Sequence, residues 1–130
     1  MASFGNAYSV YESFKAGASL KTTTAQFLGV ELSAANTALI TSSTTACGIG
    51  VVVSDNDSNS ESVSVIVQGI ARIYTNDTIT AGGAVALNAA GQAIPFTTDT
   101  AMNVLGLARD TSAATGTMIE IYVNPQFVKK

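Results

Sequence analysis

The sequence contains no histidine and a single cysteine, Cys47, among its 130 residues. Ser-His-Asp and Cys-His catalysis, histidine-ligated metals, zinc clusters and intrachain disulfides are therefore excluded by inventory. Charge is scarce as well: 12% of residues are charged, against roughly 25% in ordinary soluble domains. Six Lys and Arg stand against nine Asp and Glu, for a net charge of −3 and a pI near 4.6. That balance opposes binding by phosphate neutralisation, so no nucleic-acid partner is expected. Long apolar runs are missing too. The longest, Ala46 to Val53, is far short of the roughly 18 residues of a membrane span, and Met1 to Gly17 carries no basic leader. The expectation is a protein synthesised in the cytoplasm, with no membrane partner and no cofactor.

What is present is apolar and finely divided. Hydrophobic residues make up 47% of the chain and the mean hydropathy is +0.33. At this length one domain is expected, burying roughly two-thirds of the surface of the unfolded chain. From Ala46 onward the apolar residues fall in alternating or short continuous runs rich in Val and Ile, each closed by Gly, Asn, Asp or Ser. This pattern predicts strands over Ile49–Ser54, Ser62–Gln68, Ile70–Thr75, Ala84–Leu87, Gln92–Phe96, Asn103–Arg109 and Thr117–Val123. Strands so closely spaced predict an all-β fold, a small partly open barrel or sandwich. Val63, Val65 and Val67 share one face of their strand, as do Ile119, Ile121 and Val123, and these six are the predicted core. Gly69 predicts a bulge or corner, Asn88 to Gly91 a four-residue hairpin loop closed by Gly91, and Pro95 an edge position.

The amino-terminal third reads differently. Phe4, Tyr8, Tyr11 and Phe14 recur at steps of four, three and three, which predicts a short helix between Ser3 as N-cap and Gly17 as stop. A polar Thr-rich stretch follows, and then Gln26-Phe27-Leu28-Gly29-Val30-Glu31-Leu32 is apolar again. Residues 1–34 are read as an arm and residues 35–130 as the β domain. The arm's contact residues are Phe4, Tyr8, Tyr11, Phe14, Phe27, Leu28, Val30 and Leu32, directed at a partner or a neighbouring subunit. The alternative is that these aromatics complete the domain's own core. Burial of the five rings supplies on the order of 10 kcal/mol, whereas ordering some 30 residues costs about 1 to 2 kcal/mol each. An arm of this kind needs strand pairing as well, which Gln26 to Leu32 is expected to provide.

Chemical sites are weak. Asp55-Asn56-Asp57-Ser58-Asn59-Ser60-Glu61 resembles the opening of a calcium loop, but Ser60 replaces the turn glycine and Ile66 the closing Glu, so no metal is expected. Gly48-Ile49-Gly50 lacks the third glycine of a dinucleotide fingerprint, with Val53 in its place. Cys47 has no adjacent base and reads as a small core residue. Asp55 with Asp57 reads as a pair of loop acids, and Arg109 with Asp110 as a strand-end ion pair. No enzyme is expected.

The second half carries a resemblance. Val63-Ser64-Val65-Ile66-Val67-Gln68-Gly69-Ile70-Ala71, Ile79-Thr80-Ala81-Gly82-Gly83-Ala84-Val85-Ala86-Leu87, Gly91-Gln92-Ala93-Ile94, and Asn103-Val104-Leu105-Gly106-Leu107-Ala108 closing on Met118-Ile119-Glu120-Ile121-Tyr122-Val123 together resemble the small all-β capsid decoration, or cement, proteins of tailed bacteriophages. The likeness spans about Ala35 to Asn124. It departs from the pattern at Gly83, where an acid is common, and in an amino-terminal arm longer than in the shortest members. The resemblance implies a structural virion protein on the outer capsid surface. It would bind the major capsid protein as a homotrimer between capsomers and stabilise the mature head. Avidity across three copies suits such a role. A second reading is a trimeric head-fibre or spike base presenting loops to a host surface.

Overall fold

Alternating Val, Ile and Tyr with small polar residues between them favour the pleated backbone. Nine strands form among the described residues of the computed structural model, which are 9–17, 26–43, 47–53, 62–97, 103–112 and 117–125. They are β1 (Val10–Ala16), β2 (Gly29–Ala34), β3 (Thr37–Ile40), β4 (Gly48–Val52), β5 (Ser62–Tyr74), β6 (Ala84–Leu87), β7 (Ala93–Pro95), β8 (Gly106–Ala108) and β9 (Met118–Val123). The fold is all-β, as expected.

The strand order is β1-β3-β2-β4-β5-β9-β8-β6-β7, and β1 pairs in addition with β5. That extra pairing closes β1, β3, β2, β4 and β5 into a five-stranded barrel, in which β1 meets β3 at Lys15–Ala16 alone. The remaining four strands continue as a flanking sheet from the second half of β5, where Gly69 to Tyr74 pair with Val123 to Met118. A parallel bridge from Thr75 to Ala93 brings β7 back to the end of β5. β5 thus serves both halves of the molecule.

Each half has its own core. Val30, Val52, Val63 and Val65 fill the barrel with Ala16, Ala38 and Ile49, and Phe14, Leu28, Ile40 and Val67 pack against them. Ile73, Val85, Leu105, Ile119, Ile121 and Val123 fill the flanking sheet, joined by Val51 and Ile66 from the barrel wall. Ile66 and then Ala71 and Ile73 enter the same core. An interval of five residues cannot keep one face in a regular strand, so β5 must skip a residue between them. The skip lies where β1 slips from Ile66 to Gln68 and where Gly69 takes a φ of 123°, in the left-handed region that favours glycine.

The two halves are clamped together. Gly29 and Gly48 leave space occupied by the Leu87 side chain, Gly29 N–H donates to Gly91 O at 2.7 Å, and the buried Thr41 hydroxyl donates to Asn88 O at 2.7 Å. The predicted hairpin forms, with Asn88–Gln92 rather than Asn88–Gly91 connecting β6 to β7. Asn88 Oδ1 accepts from the backbone N–H of Ala90 and Gln92, at 2.8 and 2.9 Å, and Gly91 has a φ of 76°. Pro95 sits on β7, the terminal strand of the order, also as predicted.

Several expectations are corrected. Val10–Ala16 is a strand where a helix over Ser3–Gly17 was expected, because pairing with β5 and β3 supplies hydrogen bonds that a short isolated helix lacks. Ser62–Gln68 and Ile70–Thr75 are one continuous strand, and β3 was not anticipated. Residue 34 is not a boundary of the sheet, since β1 and β2 on its amino-terminal side are both barrel staves. Of the six predicted core residues, Val67 is half-buried and the other five are buried. Cys47 is half-buried.

Candidate interaction surfaces

The eight residues expected to make contacts are dispersed by the fold. Phe4 and Tyr8 lie outside the described residues. Val30 is corrected outright: it is fully buried at the centre of the barrel, paired with Ile40 and Gly50, and cannot meet a partner. Phe14 and Leu28 are half-buried against the same core. For Phe14 the structure supports the alternative that the aromatics complete the domain's own core, and Leu28 and Val30 belong to that core as well.

Phe27 acts as a clasp. Its φ of 70° is unusual for a bulky side chain. Its N–H donates to Val52 O at 2.8 Å, its carbonyl accepts from Tyr74 N–H at 3.1 Å, and its ring meets Tyr74 edge to face at 6.2 Å. Backbone strain of this kind, worth roughly 1 to 3 kcal/mol, persists only where surrounding contacts over-determine it.

Tyr11 and Leu32 remain exposed, at 54% and 50%, but they do not form one patch. Tyr11 stands opposite Ile66 at the start of β1, while Leu32 stands opposite Ala38, which pairs with Ala16 at the other end of β1. Five residues of strand, about 17 Å, separate the two levels. Leu32 lines a shallow hollow with Glu31, Cys47 and Ile49.

A surface that the sequence reading did not assemble lies on the outer face of the flanking sheet. Ile70 is directly opposite Tyr122, Tyr122 opposite Leu107, and Leu107 opposite Ala84. These four side chains form a row across β5, β9, β8 and β6, with Tyr122 45% and Leu107 44% exposed. Val104 and Asn124 deepen the row into a hollow beside Gly106. The adjacent row is charged: Arg72 is opposite Glu120, and Arg109 pairs with Glu120 at 2.7 Å. The expected partner of Arg109 was Asp110. Asp110 instead accepts from Glu120 N–H at 3.2 Å, because the register carries Glu120 to the guanidinium. The Arg109 guanidinium also lies 5.5 Å from the centre of the Tyr122 ring, which caps one flank of the apolar row. Alternation on β9 placed Met118, Glu120 and Tyr122 on one face; nothing local in Leu105-Gly106-Leu107 said which leucine faced out.

Polar groups inside the molecule are spent on structure. The Thr75, Ser112 and Thr117 hydroxyls form a triangle with sides of 2.9, 3.0 and 2.7 Å. Among the described residues no group of three Cys, Asp or Glu could hold a metal ion. The Asp55–Glu61 loop lies outside the described residues. The described surface offers apolar side chains for burial, Tyr11, Leu32, Leu107 and Tyr122 among them.

A comparison with protein-family models gives no match, and a comparison with curated proteins gives none. Among solved structures, the fold is similar to that of the head fiber gp8.5 N base of bacteriophage phi29. The TM-score is 0.64 at 14% sequence identity, over 89% of this chain and 94% of that one. At that identity the likeness is one of fold, and it extends over nearly the whole of both chains.

Proposed function

We propose that this protein is a structural component of a phage virion that attaches to the outer surface of the head and stabilises it, without catalysis and without a cofactor. The observation that carries the reading is the end-to-end likeness of fold to a phage head-fibre base, reached independently of the sequence resemblance to capsid decoration proteins. Its partners are the major capsid protein and two further copies of itself. Exposed apolar groups such as Tyr11, Leu32 and the Ile70–Ala84 row are suited to contacts that depend on burial. The same fold likeness favours a second reading, the base of a head fibre that holds a longer appendage on the capsid.

Purified protein mixed with undecorated heads and sedimented tests both. Saturable binding in multiples of three, with a rise in the temperature at which heads release DNA, is expected. Tyr11→Ala is expected to weaken attachment by about 1 to 3 kcal/mol, mainly through faster dissociation. Binding without any gain in head stability supports the fibre base instead. Absence of binding overturns both.

A further inference from the structure

We propose that copies of this chain join head to tail, the start of β1 in one copy seating on the outer face of the flanking sheet in the next, where Glu12 meets Arg72. The inference rests on the self-association proposed above and names its two surfaces.

The first surface is a rib. β1 meets β3 at Lys15 and Ala16 alone. Over Val10 to Ser13 it is paired with β5 on one side, and among the described residues no strand lies on the other. Tyr11 and Glu12 point to opposite faces of this stretch, and Val10, Tyr11 and Glu12 are all exposed. Of the five carboxylates among the described residues, Glu12 is the one with no hydrogen bond or ion pair there. Glu31 accepts from Ser42, Asp77 from Thr78 N–H and Asp110 from Glu120 N–H, while Glu120 pairs with Arg109.

The second surface carries the opposite charge in the same condition. Arg72 stands opposite Glu120, but the Glu120 carboxylate is engaged by Arg109. Arg72 is exposed and makes no hydrogen bond or ion pair among the described residues. On its own strand Ile70 and Tyr74 share its face, and Tyr122 and Leu107 continue the apolar row beside it. Any body that covers this face also covers Arg72, which is costly unless a carboxylate comes with it.

One copy holds both halves of the match. Val10, Tyr11, Tyr74, Leu107 and Tyr122 are five of the six large apolar side chains left exposed among the described residues, and they divide between the rib and the face. Glu12 and Arg72 cannot satisfy each other within a copy. Glu12 is opposite Val65, and Arg72 lies seven residues further along β5, about 20 Å away. That is beyond the roughly 8 to 10 Å over which exposed charges stay coupled in salt. Because the two surfaces differ, the contact is heterologous: each copy gives its rib to one neighbour and receives the rib of another, and three such contacts close the ring of three copies.

Size-exclusion chromatography with light scattering on the full chain reads the assembly. The native protein is expected to run as three copies. Glu12→Arg and Arg72→Glu are each expected to weaken assembly at least about tenfold by setting like charges together, with an unchanged far-ultraviolet circular dichroism spectrum. The double variant Glu12→Arg/Arg72→Glu is expected to restore it. Adding Lys15→Glu to Glu12→Arg returns the net charge to −3 but not the contact, so that protein is expected to stay dissociated. A native assembly that either single reversal leaves intact overturns the inference while self-association stands. So does a double variant that stays dissociated, and so does restoration by Lys15→Glu. A monomeric native protein overturns this inference and the self-association together.

Discussion

Ile121 is fully buried whereas Tyr122, its neighbour, is 45% exposed. A strand turns successive side chains to opposite faces, so one substitution tests packing and the next tests the surface. Ile121→Ala is expected to cost about 2 to 5 kcal/mol, the range for deleting a well-packed aliphatic side chain. Urea unfolding measures it, and a loss below about 0.5 kcal/mol would reverse the assignment of faces. At this scale β9 was legible because its alternation is strict. Gln26 to Leu32 was not legible in the same way: Leu28, Val30 and Leu32 share one alternating set, yet Val30 is buried and Leu32 half-exposed. What separates them is position along the barrel. Val30 faces its centre, paired with Ile40 and Gly50, whereas Leu32 lies near the end of β2 beside the register shift at Leu32 and Ala34. No local pattern records where a strand passes the end of a barrel.

At the scale of elements, β1 decides how the chain can be cut. It lies between β3 and β5, pairing with Thr37–Ala38 on one side and with Ser62–Gln68 on the other. Removing residues 1–17 takes out this stave and leaves β3 and β5 with unpaired edges. Exposed edges of that kind drive association. The expected result is a large fall in melting temperature, or aggregation, seen by thermal unfolding and size-exclusion chromatography. Removal of residues 1–8 is expected to leave the melting temperature within a few degrees. A monomeric protein lacking residues 1–17 with native melting behaviour would show that the barrel closes without β1. The sequence suggested a helix here because steps of four, three and three suit a helical face. In the strand they put Tyr11 outside and Phe14 against the core. The seven strand expectations downstream fall on six strands, two of them fused in β5, because each rests on local alternation, whereas β1 acquires its structure from a partner about fifty residues away.

At the scale of the whole molecule, closure and sparse charge act together. Every barrel strand has a neighbour on both sides, although β1 meets β3 at Lys15–Ala16 alone, and on the terminal strand β7 Pro95 contributes no N–H, so open-ended strand addition is hindered at both places. The attachment proposed above would then rely chiefly on side-chain faces, and charged residues are only 12% of the chain. Arg109 and Glu120 are 40% and 38% exposed, and an ion pair of that exposure contributes only about 0 to 1 kcal/mol. Salt screens such pairs within about 10 Å at 0.1 M and within about 3 Å at 1 M, yet it leaves apolar burial intact or strengthens it. The proposed attachment to heads is therefore expected to change by less than about threefold between roughly 0.05 and 1 M sodium chloride, a range across which phosphate-driven binding loses several orders of magnitude. Co-sedimentation at each salt concentration gives the slope directly. A steep fall in affinity with salt would show that the few charged residues, rather than the apolar faces, make the contact, and would move the attachment surface to the row of Arg72, Glu120 and Arg109.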